Sequence, residues 1–170
     1  MSALRIAVIT TGGTIDKVYF DAKSHYEIGD SELPRILADA HARLETHVVH
    51  LLAKDSLELT DEDRAQIRRT VESVPERMVL VTHGTDTMVE TALALKDVAG
   101  KVIVLTGSLS PARFRASDAP FNVGMAIAAL QSLSEGVWIA MNGRIYAADR
   151  VKKNRERNRF EDVALDDVDE

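Results

Sequence analysis

Two stretches of this chain carry hydroxyls where they could react: "TTGGTID" at residues 10–16 and "HGTDT" at residues 83–87. The 170 residues include no cysteine, so disulfides and thiolate chemistry are excluded and a nucleophile must be an oxygen or an amine. In "TTGGTID" the paired glycines let a backbone approach a ligand closely, and Thr14 offers a hydroxyl and an N–H where the loop begins. The same residues also make an ordinary tight turn after a strand. In "HGTDT", Thr85 or Asp86 could be a helix N-cap, but a cap needs one oxygen and Thr85, Asp86 and Thr87 supply three groups. Ser56, at the end of another apolar run, says little alone, and Thr60 and Asp63 behind it have the spacing of a capping box. "SDAPFN" at 117–122 reads as a helix start with Pro120 in the first turn.

Other chemistries are disfavoured. Neither G-x-G-x-x-G nor G-x-x-x-x-G-K-[ST] is present, so no nucleotide cofactor is expected. The five histidines form no ligand array, and His47 and His50, three apart on a strand, point to opposite faces, so no metal site is expected. The basic run from Arg150 to Arg159 could grip phosphate, although solvated surface is the commoner meaning of such a run. It has no interleaved aromatics for base stacking, and a net charge of −6 argues against nucleic acid as a partner. No run approaches the roughly 18 apolar residues of a membrane span. Met1 to Thr10 lacks the features of a signal peptide, which leads to an expected cytoplasmic location with no membrane partner.

The elements that must position these residues follow from periodicity. Five short apolar runs, "RIAVIT", "HVVHLL", "MVLVTHG", "KVIVLTG" and "GVWIAMNG", read as strands. Helices are expected over 33–44, 61–74, 87–98 and 120–133, where apolar residues recur at three- and four-residue spacing. Near-continuous apolar strands alternating with helices imply a mainly parallel sheet covered on both faces. The expected fold is therefore a three-layer α/β/α domain with a flavodoxin-like or Rossmann-like sheet of about five or more strands. In a 2-1-3-4-5 order, strands one and three flank the crevice where ligands gather, and their carboxyl ends are "TTGGT" and "THGTD". Residues 15–32 stand outside the alternation as a long loop, as do 107–119 and everything after about Asn142. The expected organisation is one domain over 1–160 followed by an acidic tail over 161–170.

Together, "TTGGTID" and "VTHGTDTM" resemble the bacterial-type L-asparaginases, and "SDAPFN" is similar to that family's "ADGPFN". The resemblance runs from about Arg5 to Lys153 and covers the family's N-terminal α/β domain, so the chain looks like a short, single-domain asparaginase without the C-terminal domain. It implies a threonine amidohydrolase, with no cofactor, that converts L-asparagine to L-aspartate and ammonia. Thr14 would attack the side-chain amide carbon, and Tyr26 on the long loop, acting as a lid, would contact it. Thr85, Asp86 and a lysine would form the second catalytic group, the lysine being Lys153 by counting from "MNG", with Lys152 one residue away. Ser56 and Asp86 would hold the substrate's α-carboxylate and α-ammonium groups, with Gly13, Gly84 and Thr85 also lining the binding site.

The chemistry is coherent on physical grounds. A threonine hydroxyl is a poor nucleophile until a neighbouring group accepts its proton. A desolvated lysine can belong to such a proton network, and an N–H at a helix start can stabilise the oxyanion. The chain departs from the family pattern at Leu57, where a polar residue often follows the serine, and Glu58 could compensate. The family's sites are also completed by a neighbour's C-terminal domain. Low glutaminase activity and a homo-oligomer, dimer or larger, are expected. The alternatives are a non-catalytic amino-acid-binding module and a subunit of a tRNA-linked amidotransferase.

Overall fold

The computed structural model describes residues 3–20 and 25–163. Its centre is a six-stranded sheet in the order β4-β1-β5-β6-β7-β8, formed by β1 (Arg5–Gly12), β4 (Glu45–Lys54), β5 (Met78–Thr82), β6 (Val102–Thr106), β7 (Gly136–Met141) and β8 (Arg144–Ala147). The first five are parallel and β8 runs antiparallel on β7. Taken in chain order, the five parallel strands stand in the expected 2-1-3-4-5 arrangement.

Alternation along the strands explains the layers. On β1, Ile6 and Val8 face one side with Leu80, Val102 and Val104, under α1 (Leu33–Asp39) and α4 (Ala119–Ser132). Ala7 and Ile9 face the other side with Val79, Val81, Ile103 and Leu105, under α2 (Asp61–Ser73) and α3 (Met88–Ala94). Both faces are apolar because both are covered. The Thr60–Asp63 capping box is present at the start of α2, and Pro120 lies in the first turn of α4 behind Asp118. Helices α1 and α3 are shorter than the periodicity predicts. The apolar spacing continues past their ends, but the chain turns at Ala40 and His41, the latter with φ 50°, and at Leu95.

Two hairpins were not legible as strands. Residues 15–32, expected to be a loop, contain β2 (Lys17–Phe20) paired antiparallel with β3 (His25–Ile28). Past Asn142 the chain forms β8 and then β9 (Val151–Asn154) paired with β10 (Arg159–Asp162). Four residues is too short a window for a period to declare itself. The β9–β10 hairpin is held to the body by apolar Val151 and Phe160, by the bond from the Tyr146 hydroxyl to the Phe160 carbonyl (3.0 Å), and by the Phe160 N–H on Asn142 Oδ1 (2.8 Å). The expected acidic tail begins inside β10, at 161 and 162, and residues 164–170 lie outside the described residues.

Candidate active site

The carboxyl ends of β1, β4 and β5 meet through their smallest residues. Gly12 and Gly13 take φ 100° and 90°, and a Cβ on either would collide, at Gly12 with the Lys54 backbone and at Gly13 with the backbone of Gly84. A Cβ on Gly84 would in turn come within 2.7 Å of Ser56 Cβ. Three backbone segments therefore touch, which only glycine allows here. Thr14 and Thr85 each follow a close-packed glycine at this end of the sheet, and Gly84 itself lies against buried Ser56.

The remaining hydroxyls divide into fold and site. Thr11 Oγ1 donates to the Thr82 carbonyl at 2.7 Å, tying β1 to β5. Thr87 is the N-terminal flanking residue of α3, but its hydroxyl makes no cap; it donates to the Ser56 carbonyl at 2.7 Å, and its N–H lies 3.4 Å from Ser56 Oγ. Capping therefore does not account for Thr85 and Asp86.

Both are engaged by a lysine. Lys153 Nζ reaches Thr85 Oγ1 at 2.5 Å and Asp86 Oδ1 at 2.8 Å, with its side chain only 6% exposed. Neighbouring Lys152 points to solvent, because successive strand residues face opposite ways. An ammonium has donors only, so Thr85 Oγ1 accepts and its own proton is directed elsewhere, available to a substrate oxygen or a water. Arg155 adds a second cation, donating to the Asp86 carbonyl at 3.2 Å with its Nε 4.0 Å from Asp86 Oδ1. The basic run thus holds one buried site lysine as well as solvated surface.

Beside Ser56 stands a carboxylate that the sequence reading passed over. Asp55 accepts from the Leu57 N–H at 3.1 Å and pairs with Lys17 Nζ at 3.1 Å, while Glu58 is exposed. Partial burial works to raise the Asp55 carboxyl, but the Leu57 N–H and the Lys17 and Lys153 charges outweigh it and hold it below the ordinary aspartate range. Its type and position after Lys54 carry no signal that would single it out.

Tyr26 is placed on β3 opposite Tyr19, and its ring packs edge-on against Tyr19 (5.5 Å between centroids) and Phe114 (6.1 Å). Among the described residues it makes no hydrogen bond to Thr14.

Two buried ionisable groups flank the site and were also missed. His83 is fully buried, with Nδ1 donating to the Gly84 carbonyl at 2.6 Å and Nε2 accepting from the Thr91 hydroxyl at 2.7 Å. Burial depresses its pKa to about 4, so it is a neutral brace for Gly84. Asp16, two residues after Thr14, is 2% exposed and accepts the Glu32 N–H at 2.9 Å. Burial above all, opposed by that N–H and reinforced by the Glu32 charge, raises it to about 6. Its folded pKa lies above the unfolded value of 3.8, so the group favours the fold at low pH. Its ionisation costs the fold on the order of 3 kcal/mol once the pH has risen through 6.

A doubly wound α/β sheet with buried Ser56, the Lys153–Asp86 pair and a turn built on Gly12 and Gly13 at its switch point defines the class of fold and site. Residues 5–164 match the family described as "Asparaginase, N-terminal", and the chain belongs to it. The glutaminase-asparaginase of Acinetobacter glutaminasificans is 30% identical over 165 residues, covering 87% of this chain and 49% of that protein. The L-asparaginase of Thermococcus kodakarensis is 30% identical over 175 residues, covering 97% of this chain and 53% of its own. The solved structure of the thermostable L-asparaginase from the same organism superposes with a TM-score of 0.80 at 27% identity, over 94% of this chain and 51% of that one. The chain thus spans about half the length of these relatives. No helix among the described residues is long and apolar enough to cross a membrane.

Proposed function

We propose that this chain hydrolyses L-asparagine to L-aspartate and ammonia with Thr14 as nucleophile. The observation that carries the reading is the convergence of the Thr14 turn with Ser56 and the Lys153–Thr85–Asp86 cluster at the carboxyl end of the sheet. Thr14 Oγ attacks the side-chain amide carbon, its proton relayed through the Thr85 hydroxyl, which accepts it as it passes its own to the departing nitrogen, and that nitrogen leaves as ammonia while Lys153 steadies Thr85 Oγ1. The resulting ester on Thr14 is then attacked by water, and aspartate is released as Thr14 recovers its proton. Thr85 supplies the hydroxyl proton that holds the oxyanion or the attacking water. Ser56 and Asp86 receive the α-carboxylate and α-ammonium groups, and Tyr26 closes on Thr14 when substrate is present. Ammonia release from asparagine by the purified protein tests the reading; no release at millimolar substrate would leave an amino-acid-binding module in its place. Cytoplasmic residence is part of the same proposal.

Asparagine is expected to be used at least tenfold more efficiently than glutamine, because Leu57 and the open setting of Asp86 offer little to steady a longer substrate. One methylene is worth roughly 1–3 kcal/mol in such discrimination. The Acinetobacter relative bears glutaminase in its name, so equal kcat/KM for the two amides is the outcome that would defeat this expectation.

A homo-oligomer is expected too. Leu57, beside Ser56, and Phe114, against Tyr26, are large apolar side chains left 61% and 46% exposed next to the site. A second copy laid over them would dry the cleft and strengthen its electrostatics. Light scattering should show a mass of at least two chains at working concentration, whereas a fully active monomer would refute it.

A further inference from the structure

The turn that carries Thr14 is tied down by its third residue. Asp16 N–H closes the turn on the Gly13 carbonyl at 3.1 Å, and the Asp16 carbonyl accepts from Gly29 N–H at 2.8 Å. Its carboxylate accepts from Glu32 N–H at 2.9 Å. Gly29 and Glu32 are where the β2–β3 hairpin returns to the body, so one residue joins the nucleophile's turn to the far end of the hairpin that bears Tyr26. The knot extends outward: Ile15 carbonyl accepts from Ala112 N–H at 3.1 Å, and Glu32 is gripped by Arg35 Nε at 2.7 Å and by Arg113.

An asparagine at position 16 would offer the same acceptor oxygen to Glu32 without a buried charge. What a carboxylate adds is a charge-assisted bond, about twice as strong as a neutral one. We infer that ionised Asp16 is a positioning residue for the reaction, pinning the Thr14 turn to the base of the β2–β3 hairpin so that the hydroxyl and the hairpin keep a fixed relation. This rests on the reading of Thr14 as nucleophile.

The pin titrates within the working range. Burial and the Glu32 charge raise the Asp16 carboxyl to about 6, so the pin is set above that pH and slackened below it. The groups around it are few. Glu32 is kept ionised by Arg35 and Arg113 against the pull of burial. Asp30 and His50 line, with Asp16, Thr10 and Gly12, a cavity of about 340 Å3, and His50 Nδ1 is 3.2 Å from the Thr10 hydroxyl. His50, the histidine of that cavity, supplies the control.

The experiment compares wild type, Asp16→Asn and His50→Gln in asparagine turnover from pH 5 to 8.5, in thermal melting, and in amide exchange at Gly29 and Glu32 scored as protection relative to the unfolded chain at each pH. Wild type should lose kcat on an acid limb near pH 6. Asp16→Asn should run five- to tenfold slower at pH 8 with that limb flattened and KM changed less than threefold, yet melt higher than wild type at pH 8. His50→Gln should keep both rate and limb. Glu32 amide protection should fall as the pH drops through 6 in wild type and be low and flat in Asp16→Asn. Wild-type turnover and limb in Asp16→Asn, or a limb that vanishes in His50→Gln, would overturn the assignment. Should wild type release no ammonia at all, the nucleophile reading falls, and the exchange data still decide the pin: equal Glu32 protection in wild type and Asp16→Asn refutes it.

Discussion

Thr14→Ala is expected to lower asparagine turnover by roughly four orders of magnitude or more while the protein folds and melts within a few degrees of wild type. The asymmetry follows from what the side chain does for the fold. The turn at 14–16 is closed by backbone bonds, Asp16 N–H to Gly13 carbonyl and Lys17 N–H to Thr14 carbonyl, and the conformation is imposed by Gly12 and Gly13. Among the described residues the hydroxyl makes no cap or tie. Without it there is no atom to carry the acyl group, and only direct attack by water, steadied by Thr85, remains. Ammonia release under saturating asparagine, with a thermal melt alongside, measures both halves. Near-wild-type turnover would transfer the nucleophile's role to Thr85.

Lys153→Met is the second large effect, with an expected loss of roughly 10²–10⁴-fold, the range of a positioned proton-transfer group. Methionine fills the space of the lysine stem, and Asp86, with a side chain 34% exposed and Arg155 nearby, is not stranded as a buried charge. The fold should survive. Residues that act as one unit lose their effects together, so Thr14→Ala combined with Lys153→Met should be scarcely slower than Thr14→Ala alone. Lys152→Met should keep most activity, since that side chain leaves the opposite face of β9. A dead Lys152→Met beside an active Lys153→Met would move the catalytic lysine by one residue, and multiplicative losses in the double variant would show that the two groups act independently.

The order of the parallel sheet could be read from the amino-acid sequence because its determinants are local. Each central strand is apolar on both faces, each helix on one, and right-handed crossovers leave few ways to connect them. The same locality made the Thr60–Asp63 capping box and the Pro120 helix start legible, since each is a pattern within a few residues. It also set "TTGGT" and "THGTD" at the switch point once the strand order was known. What no local pattern encodes is which distant side chain completes a cluster. Lys153 is 68 residues from Thr85, and only the packing of Val151 and Phe160 on the α3 side of the sheet turns it inward. Resemblance could name that lysine, but composition and spacing could not.

The tertiary structure alone decided the rest. It turned the Thr87 hydroxyl away from capping and onto the Ser56 carbonyl, and made His83 a neutral brace by enclosing it completely. It paired Lys17–Phe20 with His25–Ile28, where Tyr26 lies against Tyr19 and Phe114. It also buried Asp16, a residue that reads as one more polar turn position, against Glu32 sixteen residues away. A sequence specifies which face of each element is apolar, and with that the layers of the fold. Burial of a single polar group, and the pKa that follows from it, depend on how several such faces close around one point, which is settled only when the chain is packed.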